Sequence, residues 1–451
     1  MQKTESSPIM PPSGGRLLKI LGVGFGIAVA IGTTISAGIV RTPGEIAAHL
    51  PVQWLFIAVW IAGGLYALIS AFSLSELGAM IPREGGQYVF SRRALGDYAG
   101  FVVGWSDWIS CCSSVALIAI VIGEYSGDLL PTLRNHGMAA ALAMPLMMML
   151  LQLRGVRWGS RFQEITAALK ALGFVALVVL CFVVGGKWPE NVPSTAAAPR
   201  GWPLLVGLLI SMQAVIYSFD GWDSIVYFLE EVRDPGREVP RAMIGSVLSV
   251  LGIYLLLNLG LVYVVPIGSF AGNDFALGMA ARRIFGAHGN AVIRSIMVVS
   301  LISGVNACLL EASRVLFGMS RDSFFSRRAS AVNKGGTPNV ALYLSTAVTI
   351  AFIATGSLQK VLAVTAFFFV ANYALSFTSL FVLRRREPNS VRPYRAWGYP
   401  WTTGFALAGS LAFLVSAIVG DTRNSIWALI VLAASYPIYR LSKSLAAPKL
   451  V

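Results

Sequence analysis

Charged residues are scarce in this chain. Asp, Glu, Lys and Arg together make up 12% of its 451 residues, about half the share that soluble proteins usually carry. Three stretches, 52–75, 242–273 and 361–383, contain none at all. Each is longer than the roughly 20 apolar residues needed to cross about 30 Å of hydrocarbon. The composition therefore excludes an ordinary soluble domain and indicates a protein whose solvent is the lipid bilayer.

Cysteine and histidine are also rare. The four cysteines, Cys111, Cys112, Cys181 and Cys308, all lie in apolar runs. We expect them to be buried free thiols and neither disulfides nor metal ligands. The three histidines are far apart in the sequence and form no metal-ligand pattern. We therefore expect no metal site and no cofactor.

Long polar segments are missing as well, so no soluble domain is attached to the apolar part. The opening residues 1–15 are polar and rich in Ser, Pro and Gly, and they do not resemble a cleavable signal peptide. We expect a cytoplasmic tail over 1–17 and another over 442–451. A chain that consists almost entirely of membrane domain is more typical of a protein that moves a solute across the bilayer than of one with a soluble catalytic domain.

Apolar runs predict twelve transmembrane helices in an all-α membrane protein. The predicted spans are 18–48, 53–80, 97–123, 137–153, 159–186, 202–230, 241–265, 290–319, 339–355, 359–383, 402–420 and 424–441.

The net charge of +14 does not indicate a nucleic-acid partner, because the basic residues alternate with the spans and form no single patch. With both termini on one side, 24 of the 35 Lys and Arg residues lie on that side and nine on the other. The remaining two, Lys170 and Arg314, fall within spans. This bias is the positive-inside pattern, and it predicts that both termini are cytoplasmic.

Two predicted spans are interrupted by residues that weaken a helix. The first contains Gly32-Thr33-Thr34-Ile35-Ser36-Ala37-Gly38, and the sixth contains Tyr217-Ser-Phe-Asp-Gly-Trp-Asp-Ser224. Taken alone, either could be a close helix contact or a kink. Breaks at matching positions five spans apart instead predict an inverted-repeat transporter with its binding site at the breaks.

An unwound segment inside a membrane has consequences for ligand binding. Its free backbone groups are tolerated only where they face protein or a water-filled cavity. The N–H groups that begin a half-helix suit a carboxylate, and the C=O groups that end one suit an ammonium group. A site with both favours a zwitterion, of which an α-amino acid is the most abundant example.

Several motifs resemble the amino acid–polyamine–organocation (APC) superfamily of permeases. They are GTTISAGIVRTPGEIA (32–47), IPREGGQYVFSRRALGDYAGFVVGW (81–105), YSFDGWDSIVYFLEEVRDPGREVPRAM (217–243), ASRVLFGMSRDSFF (312–325), NKGGTPNVAL (333–342) and RPYRAWGYP (392–400). The L-type amino acid transporter-like branch is the most similar. The resemblance implies the leucine-transporter fold: a first five-helix repeat over 18–186, an inverted second repeat over 202–383, discontinuous first and sixth helices, and two accessory helices over 402–441.

The resemblance also implies a set of substrate-binding residues. The N–H groups of Ala37 and Gly38, with Ser36, would hold the substrate carboxylate. The main-chain carbonyls of Thr34, Tyr217 and Asp220 would accept its ammonium group, and the Tyr217 ring would close over the substrate from outside. Two positions depart from the family pattern, since relatives often have Ser in place of Ala37 and Gly in place of Asp220.

Lys170 is the most informative charge inside a span. It shares a helical face with Gln163 and Thr166 and lies about 13 Å beyond Arg161, at 1.5 Å per residue. We interpret it as functional; the alternative is a lysine that extends to the headgroups. The resemblance implies that its ammonium replaces the sodium ion of other branches and bridges the first span to the eighth. That implies sodium-independent transport, either by exchange (an antiporter) or coupled to protons.

Other charged residues within spans have simpler interpretations. Asp220 either caps a half-helix or faces a cationic substrate, and we favour capping. Asp107 is expected to form an internal ion pair. Glu311 and Arg314, three residues apart, are expected to pair with each other. The acidic and basic residues over 230–238 are expected to anchor a cytoplasmic loop and to form an inner gate.

These observations favour a secondary transporter of amino acids in a plasma membrane, of prokaryotic style, working by alternating access. A polyamine or organic-cation permease of the same fold is the alternative. An intramembrane enzyme is disfavoured, because nothing accompanies Ser36 and Lys170 to complete a catalytic site. Eukaryotic light chains of the family that this chain resembles carry a cysteine between the third and fourth spans, which bonds a heavy subunit. The corresponding loop here, 123–137, contains none, so the resemblance implies no disulfide-linked heavy subunit. The lipid bilayer and a small-molecule substrate are the expected partners.

Overall fold

The computed structural model describes residues 17–36, 38–186, 199–354, 358–420 and 422–446. Its α-helices are, in chain order, α1 (Val23–Thr34), α2 (Gly38–His49), α3 (Gln53–Met80), α4 (Tyr88–Leu95), α5 (Asp97–Leu129), α6 (Gly137–Leu153), α7 (Val156–Val183) and α8 (Trp202–Phe219). They continue with α9 (Pro235–Val264), α10 (Ile267–Phe270), α11 (Ala276–Phe285), α12 (Gly289–Arg321), α13 (Asn339–Ala354), α14 (Leu358–Arg386), α15 (Trp401–Gly420) and α16 (Thr422–Ala446). Short 3₁₀ segments occur at Pro131–Leu133, Ser224–Phe228, Gly286–His288 and Arg327–Ser330.

The twelve predicted spans correspond to helices in the described part of the chain. Eight helices are long and apolar enough to cross a bilayer, and the bent pair of α1 and α2 supplies a ninth crossing. Helices α6 and α13 are shorter apolar helices, and α16 covers the last predicted span. Several helices extend past the predicted bounds, as α5 does to Leu129. Apolar runs mark the hydrocarbon core, whereas hydrogen-bonded turns continue beyond it.

Helices α5 and α12 form the centre of the bundle. They make the most extensive helix–helix contact in the described part of the chain, and each is 33 residues long. Helix α1 packs against α7, α9 and α12, while α8 packs against α2 and α3. Helix α15 lies at the edge against α14 and α3, and many of its large apolar side chains are exposed. Apolar exposure of this kind suits a surface that faces lipid tails.

Candidate functional site

The first predicted break is present. Helix α1 ends at Thr34 and α2 begins at Gly38, with their axes bent by 53°. The Ile35 N–H donates to the Ile31 carbonyl (3.2 Å), and the Ser36 N–H then turns to the Thr34 carbonyl (2.9 Å). Ala37 lies outside the described residues. A new helix that starts at Gly38 has first-turn N–H groups without partners inside that helix.

The second predicted break is also present. Helix α8 ends at Phe219, and a 3₁₀ segment begins at Ser224 after the turn at Asp220 and Gly221. Gly221 has φ +101°, and a Cβ added there would lie 2.7 Å from the Cβ of Thr33. A glycine is required here both by the left-handed backbone and by the close approach of the first break.

The two breaks are joined by hydrogen bonds. The Thr33 hydroxyl lies 3.1 Å from the Gly221 carbonyl and 2.7 Å from the Ser224 hydroxyl. The Tyr254 hydroxyl, from α9, lies 3.0 Å from the Thr34 carbonyl and 2.9 Å from the Ser218 carbonyl. Tyr254 thus contacts the last turn of both interrupted helices.

A cavity of about 610 Å³ lies against both breaks. Its lining includes five of the six predicted substrate-binding residues: Thr34, Ser36, Gly38, Tyr217 and Asp220. The sixth, Ala37, is the one outside the described residues. The Thr34 carbonyl already accepts Tyr254 and Ser36, as described above, but the Thr34 hydroxyl is buried without a hydrogen-bond partner among the described residues.

The cavity opens at one end of the bundle. Its lining reaches Arg41, Glu45 and His49 on α2 and Asp274 after α10. The side chains of Arg41 and Asp274 are 54% and 84% exposed and lie 4.0 Å apart. We refer to these four residues as the cavity mouth. One arginine, two carboxylates and a histidine meet there, so the mouth carries charges of both signs and no strong net charge.

The opposite end of the bundle is closed. Leu21, just before α1, exchanges backbone hydrogen bonds with the Glu231 carbonyl (3.0 Å) and the Arg233 N–H (3.1 Å). Above this pair the rings of Phe25 and Phe228 pack edge to face, with centroids 5.1 Å apart. The apolar contact and the backbone pairing together separate the cavity from that end.

A buried ion cluster reinforces the closed end. The Arg314 guanidinium donates to Glu231 (2.9 Å) and lies 3.8 Å from Glu84, and all three side chains are fully buried. Arg321 pairs with Glu230 beside them. Burial and the neighbouring Glu231 carboxylate raise the pKa of Glu84 well above its usual range. The anchoring role expected for the 230–238 loop is therefore present.

Two sequence predictions about charge pairs are wrong. Arg314 pairs with Glu231 and not with Glu311, because the helix directs its guanidinium towards the loop that follows the second break. Asp107 forms no ion pair among the described residues; it accepts the Tyr227 hydroxyl (2.9 Å). Each partner is far away in the chain, so spacing along a helix gave no sign of it.

Lys170 lies under the first break. Its ammonium donates to the carbonyls of Ile31 (3.3 Å), Gly32 (2.9 Å) and Ile35 (2.7 Å), and its side chain is buried. These three acceptors match the three N–H bonds of an ammonium group. The interpretation of Lys170 as a lysine extending to the headgroups is therefore wrong.

The predicted link from Lys170 to the eighth span is indirect. The hydrogen bonds of its ammonium described above are all with α1 and the residue after it. Ser300 of α12 donates to the same Ile35 carbonyl (2.9 Å). The two helices therefore meet at one shared acceptor.

Asp220 contacts a residue that the sequence did not indicate. Its carboxylate accepts the Tyr373 hydroxyl from α14 (2.8 Å) as well as a backbone hydrogen bond from Gly221. A local capping contact is thus present, as predicted, beside a long-range one. The same hydroxyl lies 2.9 Å from Asp223, which also accepts the Gln87 side-chain amide (2.7 Å).

Sequence reasoning missed Asp223, Tyr373 and Gln87 as site residues. Asp223 stands within the quoted 217–224 motif, so its position in a broken span was a readable signal. Tyr373 gave no such signal, because it lies in an unremarkable apolar stretch. Gln87 stands in the 81–105 motif, but nothing there indicated a contact with Asp223. In the described part of the chain, no group of His, Cys, Asp and Glu is arranged to hold a metal ion.

Comparison with known proteins shows which family the sequence matches. A family model described as amino acid permease matches residues 26–436. A serine/threonine exchanger, SteT, of Bacillus subtilis is 26% identical over 94% of this chain and 96% of that protein. The Asc-type amino acid transporter 1 of Mus musculus is 26% identical over 84% of this chain and 73% of its own length. The human large neutral amino acids transporter small subunit 2 is also 26% identical, over 87% of this chain and 75% of its own length.

Proposed function

Because this chain belongs to the amino acid permease family and transports amino acids, we propose that it is a sodium-independent exchanger working by alternating access. The cavity would hold one amino acid at the two breaks while the closed end blocks its exit. Transport would follow when the closed end opens and the mouth closes. The exchange mode accords with the name of the bacterial relative, a serine/threonine exchanger.

The substrate would bind through its two backbone charges. Its carboxylate would meet the N–H groups that begin α2 at Gly38, with Ser36 and, by position, Ala37. Its ammonium would lie at the end of α8, near the Tyr217 and Asp220 carbonyls. The Thr34 carbonyl is a weaker candidate than the sequence suggested, because Tyr254 and Ser36 already donate to it.

The observation that carries the proposal is the position of Lys170. A carbonyl cluster at the end of α1 would otherwise suit a metal cation, since helix ends expose partial negative charge. The ammonium of Lys170 donates to all three carbonyls instead. A cation that is part of the protein makes a transported one unnecessary for stabilising the break, which supports sodium independence.

The charge bias of the sequence supports an orientation for this multi-pass membrane protein. We place both termini in the cytoplasm of a prokaryotic cell and the chain in its plasma membrane. The cavity mouth then faces outside, and the structure is in an outward-open state. In this arrangement 18–186 and 202–383 would be inverted repeats, and 402–441 the accessory helices.

The chain would act as a transporter and not as an enzyme, without a covalent partner subunit. All four cysteines are buried within helices and unpaired, which supports the absence of a disulfide-linked heavy subunit. A disulfide-bonded heterodimer on non-reducing electrophoresis would contradict this.

Counterflow in proteoliposomes tests the proposal. Purified protein is reconstituted into liposomes that are empty or loaded with an unlabelled amino acid, and uptake of labelled neutral and cationic amino acids is measured. We expect uptake only into loaded liposomes, at the same rate when sodium is replaced by N-methylglucamine. Equal uptake into empty liposomes would contradict exchange, and loss of uptake without sodium would contradict the role of Lys170.

A further inference from the structure

We propose that the deep wall of the cavity binds a positively charged side-chain group, so that cationic amino acids are the preferred substrates. This inference rests on the proposed function and names the substrate class of the same site. The wall consists of Asp220 and Asp223 at the second break and Glu311 on α12, and we call these three residues the carboxylate wall. All three line the cavity.

The carboxylate wall is short of hydrogen-bond donors. Beyond one backbone N–H on Asp220, one side-chain amide on Asp223 and Ser224 beside Glu311, a single hydroxyl, that of Tyr373, serves both Asp220 (2.8 Å) and Asp223 (2.9 Å). It has one hydrogen to donate, so one of these two contacts lacks a proton at any moment. Oε1 of Glu311 is buried without a hydrogen-bond partner among the described residues, although its side chain borders the cavity.

A fourth carboxylate lies directly behind the wall. Asp107 is fully buried and accepts the hydroxyl of Tyr227, whose side chain lines the cavity (2.9 Å). The other oxygen of Asp107 has no partner in the part of the chain that the structure describes. Acidic groups thus come from α5, from the second break and from α12, and they converge on one region.

The basic groups nearby are committed elsewhere. Among the described lining residues, Arg41 and His49 lie at the cavity mouth, where Arg41 is 4.0 Å from Asp274. Lys170 donates to the carbonyls beneath the first break. Arg314 pairs with Glu231 at the closed end. None of these cations faces the carboxylate wall.

Buried carboxylates without a counter-charge are costly, and a bound cation offsets that cost. An ammonium or guanidinium group supplies three to five N–H donors, which would serve the carboxylate oxygens that still lack one. The wall adjoins the break where the substrate backbone would bind, since Asp220 and Asp223 flank Gly221. A cationic amino acid therefore satisfies both the backbone site and the wall, whereas a neutral one leaves the wall unpaired.

Calorimetric titration of the purified full-length chain tests this inference with three ligands. L-Lysine carries both features, L-norleucine lacks only the side-chain ammonium, and cadaverine lacks only the carboxylate. We expect lysine to bind about tenfold or more tightly than norleucine, the effect of charge-assisted hydrogen bonds. Equal affinity for lysine and norleucine would overturn the inference, and it is the result expected if protons alone neutralise the wall.

Two substitutions locate the effect. Glu311→Gln and Asp223→Asn should each weaken lysine binding about tenfold or more and weaken norleucine binding much less. Asp274→Asn, at the exposed mouth, is the matched control and should change neither. Loss of lysine and norleucine binding together in well-folded variants, verified by gel filtration, would contradict the proposed role. If one variant fails to fold, the inference is still tested by the other variant and by the comparison of lysine with norleucine on the unmodified chain.

The same experiments separate this inference from the proposed function. Counterflow of neutral amino acids with no preference for lysine would leave exchange intact and overturn the carboxylate wall as a cation site. Cadaverine binding as tightly as lysine would show that the substrate carboxylate is not recognised. That outcome would contradict amino acid binding at the breaks and, with it, this inference.

Discussion

Replacing Lys170 by Ala should reduce substrate affinity strongly while leaving the chain folded. The substitution removes the ammonium from three carbonyls at the end of α1. Two of them keep a donor: Ile31 retains the Ile35 N–H, and Ile35 retains the Ser300 hydroxyl. The Gly32 carbonyl loses its charged partner.

The magnitude follows from the Gly32 carbonyl. A buried polar group left without a partner costs about 1–3 kcal/mol. The chain can avoid that cost by continuing the helical hydrogen bonds through 35–38, which closes the break. If the open break is disfavoured by about 2 kcal/mol, the binding-competent population falls and apparent affinity drops roughly thirtyfold.

Calorimetry with the best substrate, alongside thermal unfolding, measures this effect. Leu169→Ala is the matched control, because Leu169 is the preceding residue of α7 and its side chain is 54% exposed on the outer surface. Wild-type affinity in Lys170→Ala, or a loss no larger than in the Leu169 variant, would refute the reasoning. Uptake that became dependent on sodium would support it, since a metal cation could then occupy the vacated carbonyls.

Three further substitutions probe the breaks and the closed end. Gly38→Val should abolish substrate binding, because even the Cβ of the new side chain would lie 3.1 Å from the Ser218 hydroxyl. Gly24→Val is the control and should retain binding, since Gly24 has open space around it. Retained binding by the Gly38 variant would argue against the backbone site. Tyr254→Phe should lower the free energy of unfolding and the free energy of substrate binding, each by about 1–3 kcal/mol, because two buried carbonyls lose the hydroxyl that they share. An unchanged melting temperature and affinity would show that the hydrogen bonds joining the two breaks are dispensable. Glu84 has a raised pKa, so the folded chain binds a proton that the unfolded chain releases, and stability should fall as pH rises from about 4.3 towards that raised value. Glu84→Gln should flatten this decline in a series of thermal melts, and an identical slope in both proteins would count against it.

The sequence predicted the helices and the breaks because both depend on local chemistry. Apolar runs long enough to cross lipid can adopt few structures other than a helix. Glycine and hydroxyl residues clustered at Gly32–Gly38 weaken such a helix wherever they occur. The second break was predictable for the same reason, since Gly221 follows Asp220 in an otherwise apolar run.

Partners across the bundle were not predictable from local spacing. Glu311 and Arg314 are neighbours on one helix surface, yet Arg314 pairs with Glu231, which is 83 residues away. The contact of Tyr373 with Asp220 spans 153 residues, and that of Tyr254 with Thr34 spans 220. Only the packing of α5, α9, α12 and α14 around the breaks brings these groups together. The positions of the two breaks were therefore predictable from the sequence, but the charge balance of the cavity beside them was not.

The backbone pairing of Leu21 with Glu231 and Arg233 constrains how the closed end can open. These hydrogen bonds connect Leu21, just before α1, directly to the segment after the second break, and they do not involve side chains. Substitutions other than proline leave these donors and acceptors in place, whereas the charge pairs of Arg314 and Arg321 depend wholly on side chains. The least costly opening leaves these two segments paired and separates them jointly from α12. Crosslinks between the two segments should then be tolerated during the transport cycle, while crosslinks from either segment to α12 should arrest it.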